Sequence, residues 1–385
     1  MTIRNIIFII ETKFTSNDFH KIGAAYYKNK NYQVHYLNII PLTRKNYFKN
    51  YNNQNLLKIN NHKLIYNFSN FKKEISKHKN SIIFSLISRS TLTSQKIFNF
   101  LNNQKIIYYA VLSGGLPIPT LTKKEIIYNS IYHPYAAIGK IFDIIKNYRI
   151  DNFRPKIKFI NRDTSINTSD EFYKVPSYDY DSIILWNRNK NKEINLPNDY
   201  YVLLETPYSH PDGFFADARF PPEIPCSFDD WYGPLNKFLN NFYNLTKSQI
   251  IIIPHPRTTS DCLNAIKTGH VSSKNKIDLI KNSNGVMTFS SSALSIGIFF
   301  DKPILFLDQF NFTYHNRRNI QYLTKYFNTS AINMDKNIKL EDVISRLNID
   351  KNSYMNFKKN YLGFPSDETS FEKIYNKIIG CGGRI

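Results

Sequence analysis

Gln249-Ile250-Ile251-Ile252-Ile253, followed at once by Pro254-His255-Pro256-Arg257, decides the class of this chain. A nearly unbroken isoleucine run closed by proline reads as a strand buried on both faces. Strands of that kind belong to parallel sheets covered by helices. Beyond this run, Gly285 to Phe289 is a second strand, Ala293 to Phe300 a helix and Pro303 to Leu307 a third strand. Ile277 to Ile280 belongs to a short helix. Upstream, Tyr201 to Leu204 is a strand, and a proline-dense loop runs from Thr206 to Pro225. Ser227 and Asp230 then form a helix-start signature ahead of Trp231, Leu235, Phe238, Leu239 and Phe242.

The first half alternates in the same way. Ile6 to Ile10, Tyr32 to Leu37, Ser81 to Ile87 and Lys105 to Leu112 read as strands. Asn17 to Lys28 reads as one helix on the spacing of Phe19, Ile22, Gly23 and Tyr26. Further helices are expected around Ser94 to Leu101 and over Ala136 to Asn147. The chain turns polar over Asn161 to Lys174, and Asn187 to Asp199 is rich in Asn, Lys and Pro, which places a domain boundary near residue 195. Thr369 and Glu372 form a capping box ahead of Phe371, Ile374, Tyr375, Ile378 and Ile379, so an amphipathic helix closes the chain. The expectation is an α/β protein with two Rossmann-like parallel-sheet domains facing a cleft. They would span 1–195 and 196–365, with a final helical segment over 366–385.

The 385 residues exceed what one core usually holds, which agrees with two domains. Hydrophobic residues at 42% rule out a wholly disordered chain. Cys226, Cys262 and Cys381 are far apart and lack paired-ligand spacing, so they read as reduced thiols and a cytoplasmic location is expected. The apolar run Ile6 to Ile10 is cut off by Glu11 and Lys13, too early for a secretion signal. Gly285 to Phe300 is interrupted by serines and falls short of a membrane span. A net charge of +21 favours acidic partners: nucleic acid, anionic headgroups at the inner membrane surface, or a sugar nucleotide and a phosphorylated glycolipid. The richness in Lys, Asn, Ile, Tyr and Phe, all with AT-rich codons, accounts equally well for part of that excess.

Open parallel sheets bind ligands at the carboxyl ends of their strands. Three loops of the second half leave such ends: Glu205 to Asp212, Pro254 to Arg257, and Ser290-Ser291-Ser292. Backbone N–H groups at a helix start, helped by hydroxyls, suit a phosphate. His255, held between prolines, can donate to a phosphate oxygen or stabilise a leaving phosphate. Arg257 can contact the same anion through two N–H groups. The plainer alternatives are one serine capping its helix and a loop histidine bonded to a carbonyl. Glu205 and His210 are placed to reach a ligand at these strand ends, and Ser113-Gly114-Gly115 leaves another strand end, either near the ligand or as a simple turn. Acid–base chemistry on a hydroxyl needs a carboxylate or histidine within reach of it. Glu11, Asp18 and His20, just after the first strand, are the first-half candidates, each also readable as a surface or capping residue.

The order of strand, His255-Pro256, His270-Val271-Ser272, helix, Ser291-Ser292, helix and Asp301-Lys302-Pro303-Ile304-Leu305-Phe306 resembles bacterial surface-carbohydrate glycosyltransferases of the GT-B fold. It is similar in particular to bacterial sialyltransferases, polysialyltransferases and CDP-glycerol glycerophosphotransferases. The likeness covers roughly residues 200 to 310, the two-domain layout, and a last helix placed to cross back to the first domain. It implies that His255 and Ser290 to Ser292 hold the donor nucleotide's phosphate, with Ser291 and Ser292 nearest the helix. It also implies a nucleotide-activated sugar as substrate, first a CMP-activated acidic sugar, with UDP-sugars and CDP-glycerol as alternatives, and a glycan or lipopolysaccharide acceptor. No separate cofactor is expected. Sialyltransferases of this kind carry an acidic pair followed by glycine in the first domain. Residues 1 to 190 hold no clean match, and Asp212-Gly213 lies in the second half.

Asp179-Tyr180-Asp181 invites a metal-dependent reading, in which Asp-x-Asp grips a divalent cation. It precedes an expected strand, Ser182 to Trp186, where a grip should follow one, so no metal site is expected. Nucleic-acid binding requires a concentrated basic face or a known module, and the scattered lysines supply neither. A carbohydrate-binding protein without catalysis would keep this fold and need no phosphate site.

Overall fold

The computed structural model describes residues 5–12, 14–45, 48, 59–78, 80–88, 91–112, 115–117, 152–161, 172–189, 196–206, 208, 227–256, 258–272, 275–312 and 314–380. The helix expected over Ala136 to Asn147 lies outside them. Among the described residues the first sheet has strands β1 (Asn5–Ile10), β2 (Gln33–Asn38), β3 (His62–Leu64), β4 (Ile82–Ser85), β5 (Tyr109–Leu112), β6 (Lys158–Ile160) and β7 (Phe172–Lys174). The second has β8 (Tyr200–Leu204), β9 (Gln249–Ile253), β10 (His270–Val271), β11 (Val286–Thr288), β12 (Ile304–Asp308) and β13 (Ile332–Asn333). Their orders are β3-β2-β1-β4-β5-β6-β7 and β10-β9-β8-β11-β12-β13. Every neighbouring pair in both sheets is parallel. The two Rossmann-like parallel-sheet domains expected from the strand and helix alternation are therefore present.

Contacts divide the chain into two compact units. One comprises Met1–Ser113, Leu121–Tyr178 and Glu368–Ile385; the other comprises Gly114–Thr120 and Asp179–Asp367. The central strands are buried on both faces, as continuous apolar runs in parallel sheets must be. Ile6 to Ile10 and Val202 to Leu204 are each at most 2% exposed. In the first unit Ile7, Ile9, Ile83, Phe71 and Phe98 form one core. In the second, Trp231, Leu235, Phe238 and Phe242 of the helix Phe228–Thr246 pack with β8, β9, β11 and β12 in another.

That helix contains Pro234, which removes the N–H that would bond the carbonyl of Asp230. The side-chain amide of Gln309, the fully buried first residue after β12, donates to the Asp230 carbonyl instead. Ser227 caps the same helix, its hydroxyl accepting from the Asp230 N–H at 3.1 Å. At the end of the chain, Thr369 and Glu372 make the expected capping box. The Thr369 N–H donates to Glu372 at 2.8 Å and the Glu372 N–H to the Thr369 hydroxyl at 3.4 Å. The helix Ser370–Gly380 packs through Phe371 and Tyr375 on Tyr26.

Two local expectations are corrected. Ser182 to Trp186 is no strand: it lies within the helix Tyr178–Arg188. Its buried Tyr180, Ile183 and Ile184 recur at helical spacing, and Trp186 donates its indole N–H to Asp278 at 2.9 Å. A short apolar run cannot separate the two states by itself. Asp179 and Asp181 thus sit in a helix's first turn, where carboxylates offset the exposed N–H groups. Asn17 to Lys28 is not one helix but two, Ser16–Lys21 and Ala24–Asn29. Gly23 breaks it in the left-handed region, at φ 69°, and a Cβ there would fall 2.3 Å from the Phe371 ring. Among the described residues no helix is long and apolar enough to cross a membrane.

Candidate functional site

The second sheet reverses direction at β8. From β8 the chain steps outward to β9 and β10, then returns past β8 to lay β11 on its other side. The loops leaving β8 and β11 part at this point, where open parallel sheets receive ligands. Leu204 lies opposite Ile253, and Leu203 opposite Met287. Glu205, the next residue after β8, therefore emerges between the Pro254-His255 exit of β9 and the Phe289-Ser290 exit of β11.

Glu205 is 2% exposed. Its N–H donates to the Ile253 carbonyl at 3.0 Å, continuing the ladder. Its Oε2 accepts from the His255 N–H at 3.1 Å and from the Thr258 hydroxyl. Its Oε1 is buried with no hydrogen-bond partner among the described residues, and neither has the hydroxyl of Thr206. Burial pushes the carboxyl up to about 7, against the opposite pull of the Thr258 and His255 hydrogen bonds. The proline-flanked loop bearing His255 is thereby tied through its backbone to the end of β8.

The serine run is tied to the same strand exit by a residue that sequence patterning passes over. Tyr208 is buried against Trp231, Phe289 and Phe312 with ring centroids 5.1, 5.8 and 5.1 Å away. Its hydroxyl shares a hydrogen bond of 2.9 Å with Ser290. Burial pushes the phenol up to about 12, so it stays protonated at neutral pH. Ser291 accepts weakly from the Ala293 N–H at 3.4 Å, while the following helix Leu294–Phe299 has only six residues, starts after Ala293 and has no side-chain cap among the described residues. Ser292 is the exposed member of the run, and its carbonyl accepts from the Ser295 hydroxyl at 2.6 Å. Gly115, grouped with the second unit, lies against it: a Cβ on Gly115 would meet the Ser292 Cβ at 2.8 Å. Arg257, His210, Ser113 and Gly114 lie outside the described residues.

The structure thus brings Glu205 and His255 into direct contact, and places Gly115 on the serine run. Thr258, Thr206 and Tyr208 join them without having been singled out by sequence. The Thr258-Thr259 pair just past Pro-His-Pro-Arg was a usable signal, since Thr259 caps the next helix and leaves Thr258 to face back. Tyr208, an aromatic in a polar loop, was another.

In the first unit, Glu11 holds the place that Glu205 holds in the second: the first residue past the sheet's first strand. It too is 2% exposed. Its Oε1 pairs with Arg44 at 3.2 Å, and its Oε2 accepts from the Ser88 N–H, beyond β4, at 2.9 Å. Both oxygens are engaged. Asp18 is committed to a capping box with Thr15, accepting from its N–H at 2.8 Å and its hydroxyl at 2.7 Å. His20 is exposed in the last turn of the same short helix.

No protein-family model and no curated protein matches this chain. Solved structures do. A UDP-GlcNAc 2-epimerase from Methanocaldococcus jannaschii is similar over 98% of this chain and 100% of its own, at TM-score 0.52 and 14% identity. MnaA of S. aureus, solved with UDP, is similar over 100% and 98%, at TM-score 0.54 and 11% identity. CalG4, the calicheamicin glycosyltransferase, is similar over 99% and 100%, at TM-score 0.52 and 8% identity. At such identities the likeness speaks for architecture alone. The fold is that of two parallel-sheet α/β domains of the GT-B type, shared with a UDP-GlcNAc 2-epimerase and with a glycosyltransferase.

Proposed function

We propose that this chain is a glycosyltransferase that takes a sugar from a nucleotide-activated donor held by the second unit. One observation carries the reading: three loops at the reversal point of the second sheet are bonded into a single constellation. Glu205 ties in the His255 loop, and Tyr208 ties in Ser290. The leaving phosphate would lie at Ser291 and Ser292, with His255 and Arg257 offsetting its charge and no metal required. The first unit would bind the acceptor, a bacterial surface glycan or lipopolysaccharide on the cytoplasmic side. The family resemblance of the His-Pro and serine motifs favours a cytidine nucleotide. The names of the similar structures favour a uridine one. A second reading, epimerisation of a UDP-sugar, draws on those same names.

A thermal-shift screen with CMP, CDP, UDP, GDP and a control oligonucleotide, with and without magnesium, tests the donor site. A nucleotide at a hundredfold excess over its Kd adds about 3 kcal/mol of stability. For a protein of this size that is a rise of several degrees. The expected outcome is a magnesium-independent rise with one nucleotide class that disappears in His255→Ala. Stabilisation only by an oligonucleotide, or a full shift retained in His255→Ala, contradicts the assignment. Incubation with the matching nucleotide sugar then separates the two readings, since transfer releases the nucleotide whereas epimerisation returns an isomeric nucleotide sugar.

A further inference from the structure

We infer that the nucleotide site takes up a proton together with its anionic ligand, and that Glu205 is the residue that receives it. The inference rests on the donor-site reading above and adds to it a linked second ligand. Geometry sets it up. Glu205 sits at the reversal point of the sheet with one carboxylate oxygen spent on His255 N–H and Thr258 and the other buried without a partner among the described residues. An ionised carboxylate in that setting carries an uncompensated charge on Oε1, which a proton from solvent removes.

Glu11 differs from Glu205 in what surrounds its carboxylate. Both glutamates follow the first strand of a parallel sheet and both are 2% exposed. Glu11 has Arg44 on one oxygen and a backbone N–H on the other. Glu205 has only the neutral donors of Thr258 and His255 on one oxygen. Among the described residues the titratable side chains beside it are His255, on the loop after β9, and Tyr208, on its own loop, which stays protonated; the exit of β11 from Phe289 to Ser292 contributes none. Arg257 of the first loop and His210 and Asp212 of the second lie outside the described residues. Burial already brings the Glu205 carboxyl to about 7, so a small further push suffices. A phosphate arriving at the adjacent loops supplies that push, because like charges disfavour a second ionisation nearby. By linkage, the proton in turn strengthens phosphate binding by the same factor. The proton returns to solvent when the nucleotide leaves.

The test is the pH dependence of UDP and CMP binding, measured by titration calorimetry on the full chain and on Glu205→Gln. Above about pH 7 a nucleotide's terminal phosphate, with its second pKa near 6, is already fully ionised. The expected result for the unaltered protein is a Kd that weakens by up to roughly tenfold per pH unit from about pH 7 to about 8.5. Proton uptake per nucleotide should rise across that range from about half a proton or less near pH 7 towards one, read from the difference between buffers of unlike ionisation enthalpy. Glu205→Gln, carrying a permanent neutral mimic, should bind with little pH dependence and more tightly than the unaltered protein at the alkaline end. An equal slope in both proteins overturns the inference and assigns the proton to His255, while leaving the donor site standing. Binding of neither nucleotide, to either protein at any pH, overturns the inference and the donor site together. Should Glu205→Gln fail to fold, infrared difference spectra of the unaltered protein still decide. A protonated-carboxyl band must appear when nucleotide is added at pH about 8, and its absence overturns the inference.

Discussion

Glu11 and Glu205 are the same residue type at the same topological position, and what surrounds their oxygens separates their chemistry. Arg44 gives Glu11 a fixed counter-charge, so it serves as a tie between the ends of β1 and β4. Glu205 has no such partner among the described residues, and its carboxyl stands near 7 against an ordinary value of 4.5. The consequence for stability has a definite sign. Between about pH 4.5 and about 7 the folded chain keeps a proton that the unfolded chain releases. Stability from this residue is therefore complete at the acid end and is lost as pH rises through the folded value, by about 3 kcal/mol. Glu205→Gln should match the unaltered protein in melting temperature near pH 4.5 and exceed it progressively up to about pH 7. Parallel curves across that range would contradict the burial argument. None of this was legible in sequence, where Glu205 and Glu11 are two acidic residues after two apolar runs. The contrast depends on Arg44, thirty-three positions from Glu11, and on Thr258, fifty-three from Glu205.

At the scale of elements, the strands of continuous apolar residues were legible because burial on both faces leaves no other pattern. The isoleucine run was read as Gln249 to Ile253 and is β9 with those bounds. Short edge strands such as β3, β7 and β13 carry no such signature, since each is only two or three residues long and mixes apolar with polar residues. The helix Tyr178–Arg188 was misread because its apolar positions fall side by side in sequence as well as on one helical face. Helix starts were the most legible local feature, because a capping residue acts within three positions of its partner. Pro234 shows the opposite case. The carbonyl that it frees is satisfied by Gln309, seventy-nine positions away from Asp230. Gln309→Leu keeps the volume and removes that donor, leaving the Asp230 carbonyl unpaired. Denaturant unfolding should report a loss of about 1–3 kcal/mol. A loss below about 0.5 kcal/mol would mean that the helix tolerates the proline unaided.

For the molecule as a whole, the alternation of strand and helix was enough to predict two parallel sheets, and both are present in the expected class. Strand order was not predictable from pattern, since parallel pairing over long separations leaves no trace in any local window. Order is nevertheless what matters to the site. The step from β8 outward to β10 and back to β11 makes the exits of β8 and β11 diverge, and the candidate residues gather there. The net charge of +21 says only that acidic ligands are welcome somewhere. Under the proposed function, the hydrogen bonds accepted by Glu205 and shared by Tyr208 with Ser290 mark the strand exits where the phosphate would lie. The most direct measurement is a crystal structure with the nucleotide that stabilises the protein most. Its phosphate should lie beside Ser291, Ser292 and His255, at the carboxyl edge of the second sheet. A nucleotide bound instead at the carboxyl edge of the first sheet, beside Glu11 and Arg44, would contradict it.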